Sequence, residues 1–82
     1  MTPRPYRIEV GEEALADLRG RLARTRWPDP IPGSGWEHGL DLAYLQELCA
    51  YWQTEYDWRA HERALNAHPQ FMCEVDGLDL HF

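Results

Sequence analysis

The spacing of hydrophobic positions changes along the chain, from every second residue to the spacing of a helix and back again. Near the N-terminus, Tyr6, Ile8 and Val10 alternate with Arg7 and Glu9. Because successive side chains of a strand point to opposite faces, this pattern is typical of a short, half-buried strand. We therefore predict a strand from Tyr6 to Val10.

The C-terminal stretch FMCEVDGLDLHF shows the same alternation on both sides of Asp76-Gly77. Asp-Gly is a favoured two-residue hairpin turn because both residues tolerate positive φ. The turn sets a register with three apolar pairs on one side of the ribbon and two pairs on the other: Val75 with Leu78, Cys73 with Leu80, Phe71 with Phe82, then Glu74 with Asp79 and Met72 with His81. Turn chemistry and hydrophobic pattern agree, which predicts a β-hairpin. The alternation has not stopped at Phe82, so we expect that the sequence is cut within a strand.

Helical spacing prevails between these ends. In GEEALADLRGRLARTRWP, Leu15, Leu18 and Leu22 form one apolar stripe. Glutamates stand at the start and arginines at the end, which suits the helix dipole. Because proline cannot continue a helix, we predict that this first helix is stopped by Pro28.

Two further helices are predicted after a loop. The segment from Trp27 to Gly39 is rich in proline and glycine, which predicts a loop held to a surface by its tryptophans. Asp41 is a good N-cap for a second helix to about Thr54, and Asp57 for a third helix from Trp58 to about Leu65. Asn66 suits the end of that third helix. The predicted buried face of the second helix consists of Leu42, Leu45, Leu48, Cys49 and Trp52.

These elements together predict an α+β fold class: a short N-terminal strand, three helices and a C-terminal β-hairpin. A chain of 82 residues has room for one small domain. We divide it into a helical region, residues 1–69, and the hairpin, residues 70–82. No apolar run is long enough for a signal peptide or a transmembrane helix.

Composition narrows the choice of partners. The formal charge is −6 and all eight cations are arginine, so binding to nucleic acid is not expected, because few phosphates would be neutralised. Four tryptophans and four tyrosines are more than a small core covers, which favours a partner surface. Cys49 and Cys73 lack CxxC spacing and are expected as reduced thiols of a cytoplasmic protein, although a disulfide is left open.

The stretch DWRAHERALNAH holds the first candidate for chemistry, a His-Glu pair on a helix. A zinc-protease helix needs His-Glu-x-x-His, since a four-residue step puts both imidazoles on one face. Here position 65 is leucine, and His68 stands seven residues after His61. We therefore predict no metal site. The plainer interpretation puts His61 and Leu65 on the packing face with Trp58, while Glu62 and the following arginine point to water.

Nucleophilic and acid–base chemistry have no better candidates. Ser34 lies in a Gly-Ser-Gly turn that is neither a nucleophile elbow nor a phosphate loop. Cys49 and Cys73 fall on apolar faces, where a thiol is usually inert. The carboxylate pairs, Glu12 with Glu13 and Glu74 with Asp79, stand where a helix end or solvent explains them. No catalytic, cofactor-binding or metal-binding residue is expected in this chain.

A longer pattern runs through nearly the whole chain, from about Tyr6 to Phe82. It consists of Arg21-Leu22, Arg26-Trp27-Pro28, Trp36, Gly39, Tyr44-Leu45, Tyr51-Trp52, Tyr56-Asp57-Trp58-Arg59, Glu62, Leu65-Asn66, Phe71, Asp76-Gly77-Leu78 and His81-Phe82. With these residues in this order, the chain resembles the N-terminal region of epoxide hydrolases of the microsomal type, including juvenile-hormone and bacterial relatives.

The resemblance implies a meander packed along an α/β-hydrolase core, with the hairpin leading into the main sheet. It places the chemistry further along the polypeptide, in a His-Gly-x-Pro oxyanion segment, an Asp nucleophile, two cap tyrosines and a His with an acidic partner. In that scheme the Asp attacks an epoxide carbon, and a His-activated water hydrolyses the ester to a diol. None of those residues maps onto this chain. His81 has no Gly-x-Pro after it, and Tyr44, Tyr51 and Tyr56 belong to the helical part.

The sequence therefore predicts the N-terminal structural segment of a soluble epoxide hydrolase, which is an enzyme only as the complete protein. Mammalian microsomal forms carry an anchor helix before this region, whereas the pattern here begins almost at once, which favours a cytoplasmic protein of the bacterial kind. The expected partner is the α/β-hydrolase core, in the same chain or a separate one. The epoxide substrate is expected only in the complete enzyme.

Two alternatives remain open. One is a free-standing helical interaction module that binds through Trp27, Trp36, Trp52 and Trp58, and the other is one part of a split or inactive hydrolase. No cofactor, nucleic acid or membrane is expected as a partner, and a homo-oligomer is left open. If the segment is a brace, the isolated chain is expected to be loosely folded or oligomeric, because its apolar faces lack their partner.

Overall fold

The computed structural model describes residues 2–82 and has three helices and one small sheet. In chain order the elements are β1 (Arg4–Tyr6), α1 (Glu12–Ala23), α2 (Leu42–Thr54), α3 (Trp58–Asn66), β2 (Gln70–Val75) and β3 (Leu78–His81). The three strands are antiparallel and lie in the order β1-β2-β3. The predicted fold class, a strand, three helices and a hairpin, is confirmed.

The chain divides into two units. One contains the residues up to Val10 together with Asp57–Phe82, and the other contains Gly11–Tyr56. The first unit holds the sheet and α3, and the second holds α1, α2 and the loop between them. The expected boundary between a helical region and a hairpin that begins a larger core sheet stays a prediction.

The N-terminal strand is shorter than predicted and lies earlier in the chain. Arg4 stands opposite Met72 and Tyr6 opposite Gln70, and the pairing stops there. Ile8 and Val10 were expected in the strand, but their backbone N–H groups bond to side chains of α3 instead. The alternating pattern therefore identified an extended segment correctly, but the prediction that its second half is a strand is wrong.

The hairpin has the predicted turn and register. Asp76 and Gly77 have φ of 51° and 80°, which is the pair of positive angles that a type I′ turn requires. Val75 faces Leu78, Cys73 faces Leu80, Glu74 faces Asp79 and Met72 faces His81. Beyond the last ladder pair, Phe71 and Phe82 exchange backbone hydrogen bonds of 2.7 and 2.9 Å, and their rings stack with centroids 5.5 Å apart.

The first helix begins where its glutamates predict and ends earlier than expected. It stops at Ala23 rather than continuing to the proline at position 28. Arg24 leaves the helical region with φ −107° and ψ 21°. Thr25 then bonds the carbonyl of Leu22. Its hydroxyl donates to that oxygen at 2.8 Å and its backbone N–H at 3.3 Å. This local cap ends the helix before the proline does.

The second helix is capped as predicted, but its buried face is narrower. Asp41 Oδ2 accepts a hydrogen bond from the Tyr44 N–H at 3.0 Å. Leu42, Leu45 and Cys49 are half-buried in the unit that α2 shares with α1. Leu48 and Trp52 were expected on the same face, yet each is 45% exposed. One neighbouring helix covers one stripe of α2 and leaves these two side chains outside it.

The segment between α1 and α2 is a loop, as its composition predicts. Three successive turns shape it, with bonds from Ser34 N to Ile31 O, from Glu37 N to Ser34 O and from Gly39 N to Trp36 O. The Trp36 ring lies 5.1 Å from the Tyr44 ring, which attaches the loop to α2.

The distribution of buried residues is unusual. Within residues 2–82 no hydrophobic side chain is fully buried, and the one buried residue is Glu62, which is 7% exposed. Large apolar side chains stay at the surface in both units, among them Trp36, Leu78 and Phe82. A surface this apolar is typical of a segment that packs against another body.

Candidate functional site

Helix α3 carries two side chains that bond the backbone of the N-terminal segment, Glu62 and Asn66. Asp57 caps it, because its Oδ1 accepts a hydrogen bond from the Ala60 N–H at 3.3 Å. The four-residue helical step then places Glu62 and Asn66 on one face of the helix. This face binds the N-terminal segment, through Ile8 and Val10. The prediction that Glu62 points to water is wrong, since His61 and Leu65 are the exposed residues.

Glu62 accepts hydrogen bonds from three different residues. Its Oε2 takes the backbone N–H of Val10 at 2.8 Å and the indole N–H of Trp58 at 3.1 Å. Arg59 Nη1 donates to Oε1 at 2.9 Å and to Oε2 at 3.2 Å. The Arg59 guanidinium thus forms an ion pair with a carboxylate that is almost fully buried.

These donors favour the ionised form of Glu62. The Val10 N–H, followed by the Arg59 guanidinium, holds the pKa of the carboxyl below its ordinary value, and the Trp58 indole acts in the same direction. Burial opposes the shift and is outweighed. The carboxylate is therefore a charged acceptor surrounded by donors, which is the arrangement that keeps a buried charge stable.

Asn66 continues the same interaction one helical turn later. Its Oδ1 accepts from the Ile8 N–H at 2.9 Å, and its Nδ2 donates to the Ile8 carbonyl at 2.7 Å. Two residues of an extended chain span roughly 6.6 Å, and four residues of a helix span roughly 6 Å. The two repeats match, so α3 side chains take the place of a neighbouring strand. We call Glu62 and Asn66, with the backbone of Ile8 and Val10, the α3 clamp.

A second polar cluster joins α3 to the sheet. Gln70 Nε2 donates to the carbonyls of Leu65 at 2.8 Å and His68 at 3.3 Å. Its Oε1 is then the acceptor for His81 Nε2 at 2.8 Å, which places the proton on Nε2 of that histidine. The His81 ring meets Tyr6 edge-on with centroids 5.3 Å apart. His81 thus links the three strands on this face of the sheet.

The opposite side of the sheet is apolar and largely exposed. It consists of Phe71, Cys73, Val75, Leu78, Leu80 and Phe82, which we call the apolar sheet face. Leu78 is 75% exposed, Leu80 54% and Phe82 55%. Hydrophobic groups in one continuous row on a sheet are normally covered by another layer of structure.

The other candidate side chains belong to different elements of the chain. The Ser34 hydroxyl donates to the Ile31 carbonyl at 2.7 Å within its turn. Cys49 and Cys73 are free, half-buried thiols. In the described part of the chain, residues 2–82, no group of three metal-binding side chains comes together. None of the helices described there is both long and apolar enough to span a bilayer.

Sequence reasoning missed the role of the α3 clamp. Glu62 and Asn66 looked like an exposed acid and a helix-terminating amide, which is the usual reading of such residues. The one available signal combined two observations. Two hydrogen-bonding side chains lie four residues apart on a helix, and the N-terminal strand pattern had no assigned partner.

Comparison with known proteins assigns the family. The family described as "Epoxide hydrolase N terminus" matches residues 3–82. A protein of Stigmatella aurantiaca (strain DW4/3-1) whose name assigns it provisionally to the epoxide hydrolases is 46% identical over 78 residues, which cover 95% of this chain and 18% of that protein. Epoxide hydrolase 1 of Oryctolagus cuniculus is 35% identical over 79 residues, 96% of this chain and 17% of that protein.

The fold agrees with the sequence comparison. The structure of Aspergillus niger epoxide hydrolase superimposes with a TM-score of 0.89 and 30% identity, covering 99% of this chain and 22% of that one. The chain thus spans about a fifth of the length of the proteins that it matches. It corresponds to their N-terminal region, which in the solved structures is part of an α/β-hydrolase. With a family match over nearly every residue and the same fold, this chain belongs to the epoxide hydrolase N-terminal family.

Proposed function

We propose that this chain is the N-terminal structural segment of an epoxide hydrolase and that it braces the α/β-hydrolase core and helps to seat the cap. The observation that carries the proposal is the unbroken match to the family over residues 3–82. The activity belongs to the complete protein, in which an Asp-ester intermediate leads from an epoxide to a vicinal diol. The residues of that step lie outside this segment.

The exposed leucines of the apolar sheet face support the bracing role. Leu78 and Leu80 point to the same side of β3 and are more than half exposed. Fully burying one leucine contributes about 1.5–3 kcal/mol, so covering this face with a core stabilises the complete protein substantially. The α3 clamp holds β1 and α3 in one unit, so that the sheet presents this face as a preformed surface.

The proposal is tested by comparing three proteins in an assay with a styrene-oxide-type epoxide. We expect the complete polypeptide, as the gene encodes it, to form the diol, and the isolated chain to show no turnover above buffer. A polypeptide without residues 3–82 should be aggregated or inactive. Turnover by the isolated chain, or full activity without residues 3–82, would contradict the proposal.

A free-standing interaction module is the second candidate, and the exposed tryptophans favour it. Trp36 is 59% exposed and Trp52 45%, whereas Trp58 is half-buried and bonds Glu62 within its own unit. The reading frame distinguishes the candidates. A continuation with His-Gly-x-Pro supports the hydrolase, and a stop codon after Phe82 supports the module or a split hydrolase.

Location and assembly remain proposals from the sequence. We propose a soluble, cytoplasmic protein of bacterial type, and cell fractionation of the complete polypeptide would test this. Light scattering of the same protein measures whether it forms a homo-oligomer.

A further inference from the structure

The chain passes between its two units twice, once after Val10 and once before Asp57. Glu62 lies beside both passages, because one oxygen, Oε2, accepts from the Val10 N–H at 2.8 Å and from the Trp58 indole at 3.1 Å. Val10 is the last residue before the first passage, and Trp58 is the first helical residue after the second. We propose that Glu62 is a conformational device that holds together the two ends of the segment 11–56. It does so by bonding Val10, just before that segment, and Trp58, just after it.

The chemistry of the site fits this role. A carboxylate accepts several hydrogen bonds at once, whereas an amide offers one acceptor oxygen and adds donors that the site does not need. The donors come from the backbone of one passage and from the first turn of the helix that follows the other. Arg59 balances the charge at 2.9 Å, so the acceptor stays ionised although it is only 7% exposed. One side chain therefore joins two parts of the chain that lie far apart in sequence.

The two side chains of the α3 clamp, Asn66 and Glu62, hold different parts of the chain. The Asn66 side chain bonds the backbone of Ile8, so it fastens the segment that leads from β1 toward Val10. Glu62 bonds both the N-terminal segment and the first turn of α3. If Glu62 holds both Val10 and Trp58, its loss releases both of these groups, while loss of Asn66 releases the backbone of Ile8 alone. This role goes beyond the bracing function and requires no catalytic activity.

The test is hydrogen exchange by NMR on the complete polypeptide, with the Val10 amide, the Ile8 amide and the Trp58 indole as probes. The variants are Glu62→Gln, Glu62→Ala and Asn66→Ala, with Glu47→Gln on α2 as the matched surface control. In both Glu62 variants we expect the protection of the Val10 amide and the Trp58 indole to fall together by roughly tenfold or more, as for the loss of a hydrogen bond to a charged group. Asn66→Ala should lower the protection of Ile8 and leave the indole unchanged.

Two results would overturn the proposal. One is a loss of protection at Val10 while the Trp58 indole exchanges as in the wild type, which would show that Glu62 holds one passage only. The other is an equal loss at all three probes in Asn66→Ala and in the Glu62 variants, which would show that Glu62 and Asn66 have the same role. If Glu62→Ala does not fold, Glu62→Gln keeps the volume and one acceptor oxygen and gives the same comparison.

Discussion

Asn66 and Ile8, 58 positions apart in the sequence, exchange two hydrogen bonds of 2.9 and 2.7 Å between a side-chain amide and a backbone. A neighbouring strand would offer Ile8 the same donor and the same acceptor. The helix therefore satisfies the extended segment after β1 without lengthening the sheet, which explains why the strand ends at Tyr6 although the alternation of side chains continues to Val10.

Replacing Asn66 with alanine should open the segment around Ile8. Both backbone groups of Ile8 lose their partner, and we expect a destabilisation of about 1–3 kcal/mol in local opening. Asn66→Asp keeps the acceptor for the N–H but sets a carboxylate against the Ile8 carbonyl, so it should not restore the wild-type value. Amide exchange at Ile8 in the complete polypeptide measures both effects, and Gln46→Ala on α2 is the control. Wild-type exchange in Asn66→Ala would show that the amide adds nothing.

The features predicted from sequence are those that depend on near neighbours. Asp76-Gly77 sets the hairpin by its own backbone preferences, and Asp41 and Asp57 cap helices through residues three positions away. The bond from Val10 to Glu62 joins residues 52 positions apart, and no local pattern specifies which helix face meets which segment. The exposure of Leu48 has the same cause, since helical spacing marks an apolar face without showing how much of it a neighbour covers.

The stability of the unit that holds α3 should depend on pH through Glu62. Its pKa is below the ordinary value, chiefly because of the Val10 N–H and then Arg59. A group with a lowered folded-state pKa contributes stability above its unfolded pKa, near 4.5, and that contribution disappears as the pH falls through the folded-state pKa. The stability difference between wild type and Glu62→Gln should therefore be largest near neutral pH and shrink on acidification. Thermal unfolding from about pH 7 to about pH 3 measures it.

A matched exposed glutamate separates this effect from general acid denaturation. Glu47 lies exposed on α2, and the difference between wild type and Glu47→Gln should stay small and constant across the same range. If the Glu62→Gln difference were equally constant, the bonds from Val10 and Arg59 would not stabilise the ionised form.

Two glycines should respond to alanine in opposite directions. Gly77 has φ +80° in the hairpin turn, a left-handed conformation that costs a residue with a Cβ about 1–2 kcal/mol. Gly20 lies inside α1, and an added Cβ meets only the mobile end of the Arg24 side chain at 3.3 Å. There alanine should stabilise the helix by about 0.5–1 kcal/mol. Amide exchange in the hairpin and in α1 reports each change separately, and a neutral Gly77→Ala would mean that the turn adopts another conformation in solution.

The two faces of the hairpin should differ in their tolerance of substitution when the complete polypeptide is made. Leu80 lies on the apolar sheet face, so Leu80→Asp would place a charge where we propose that the hydrolase core packs, and the soluble yield and melting temperature should fall. Asp79 lies on the opposite face in a 3.4 Å ion pair with Arg4, and both side chains are more than half exposed. Pairs of this kind contribute about 0–1 kcal/mol, so Asp79→Asn should be nearly neutral.

The isolated chain provides the opposite comparison for the same substitution. There the apolar sheet face has no core to meet, so Leu80→Asp should leave stability nearly unchanged and reduce self-association, as measured by light scattering. Leu78→Asp should behave in the same way, since Leu78 is 75% exposed. A complete polypeptide that tolerates Leu80→Asp as well as Asp79→Asn would show that this face stays in water. In that case the exposed tryptophans of the other unit, and not the sheet, would be the surface that a partner covers.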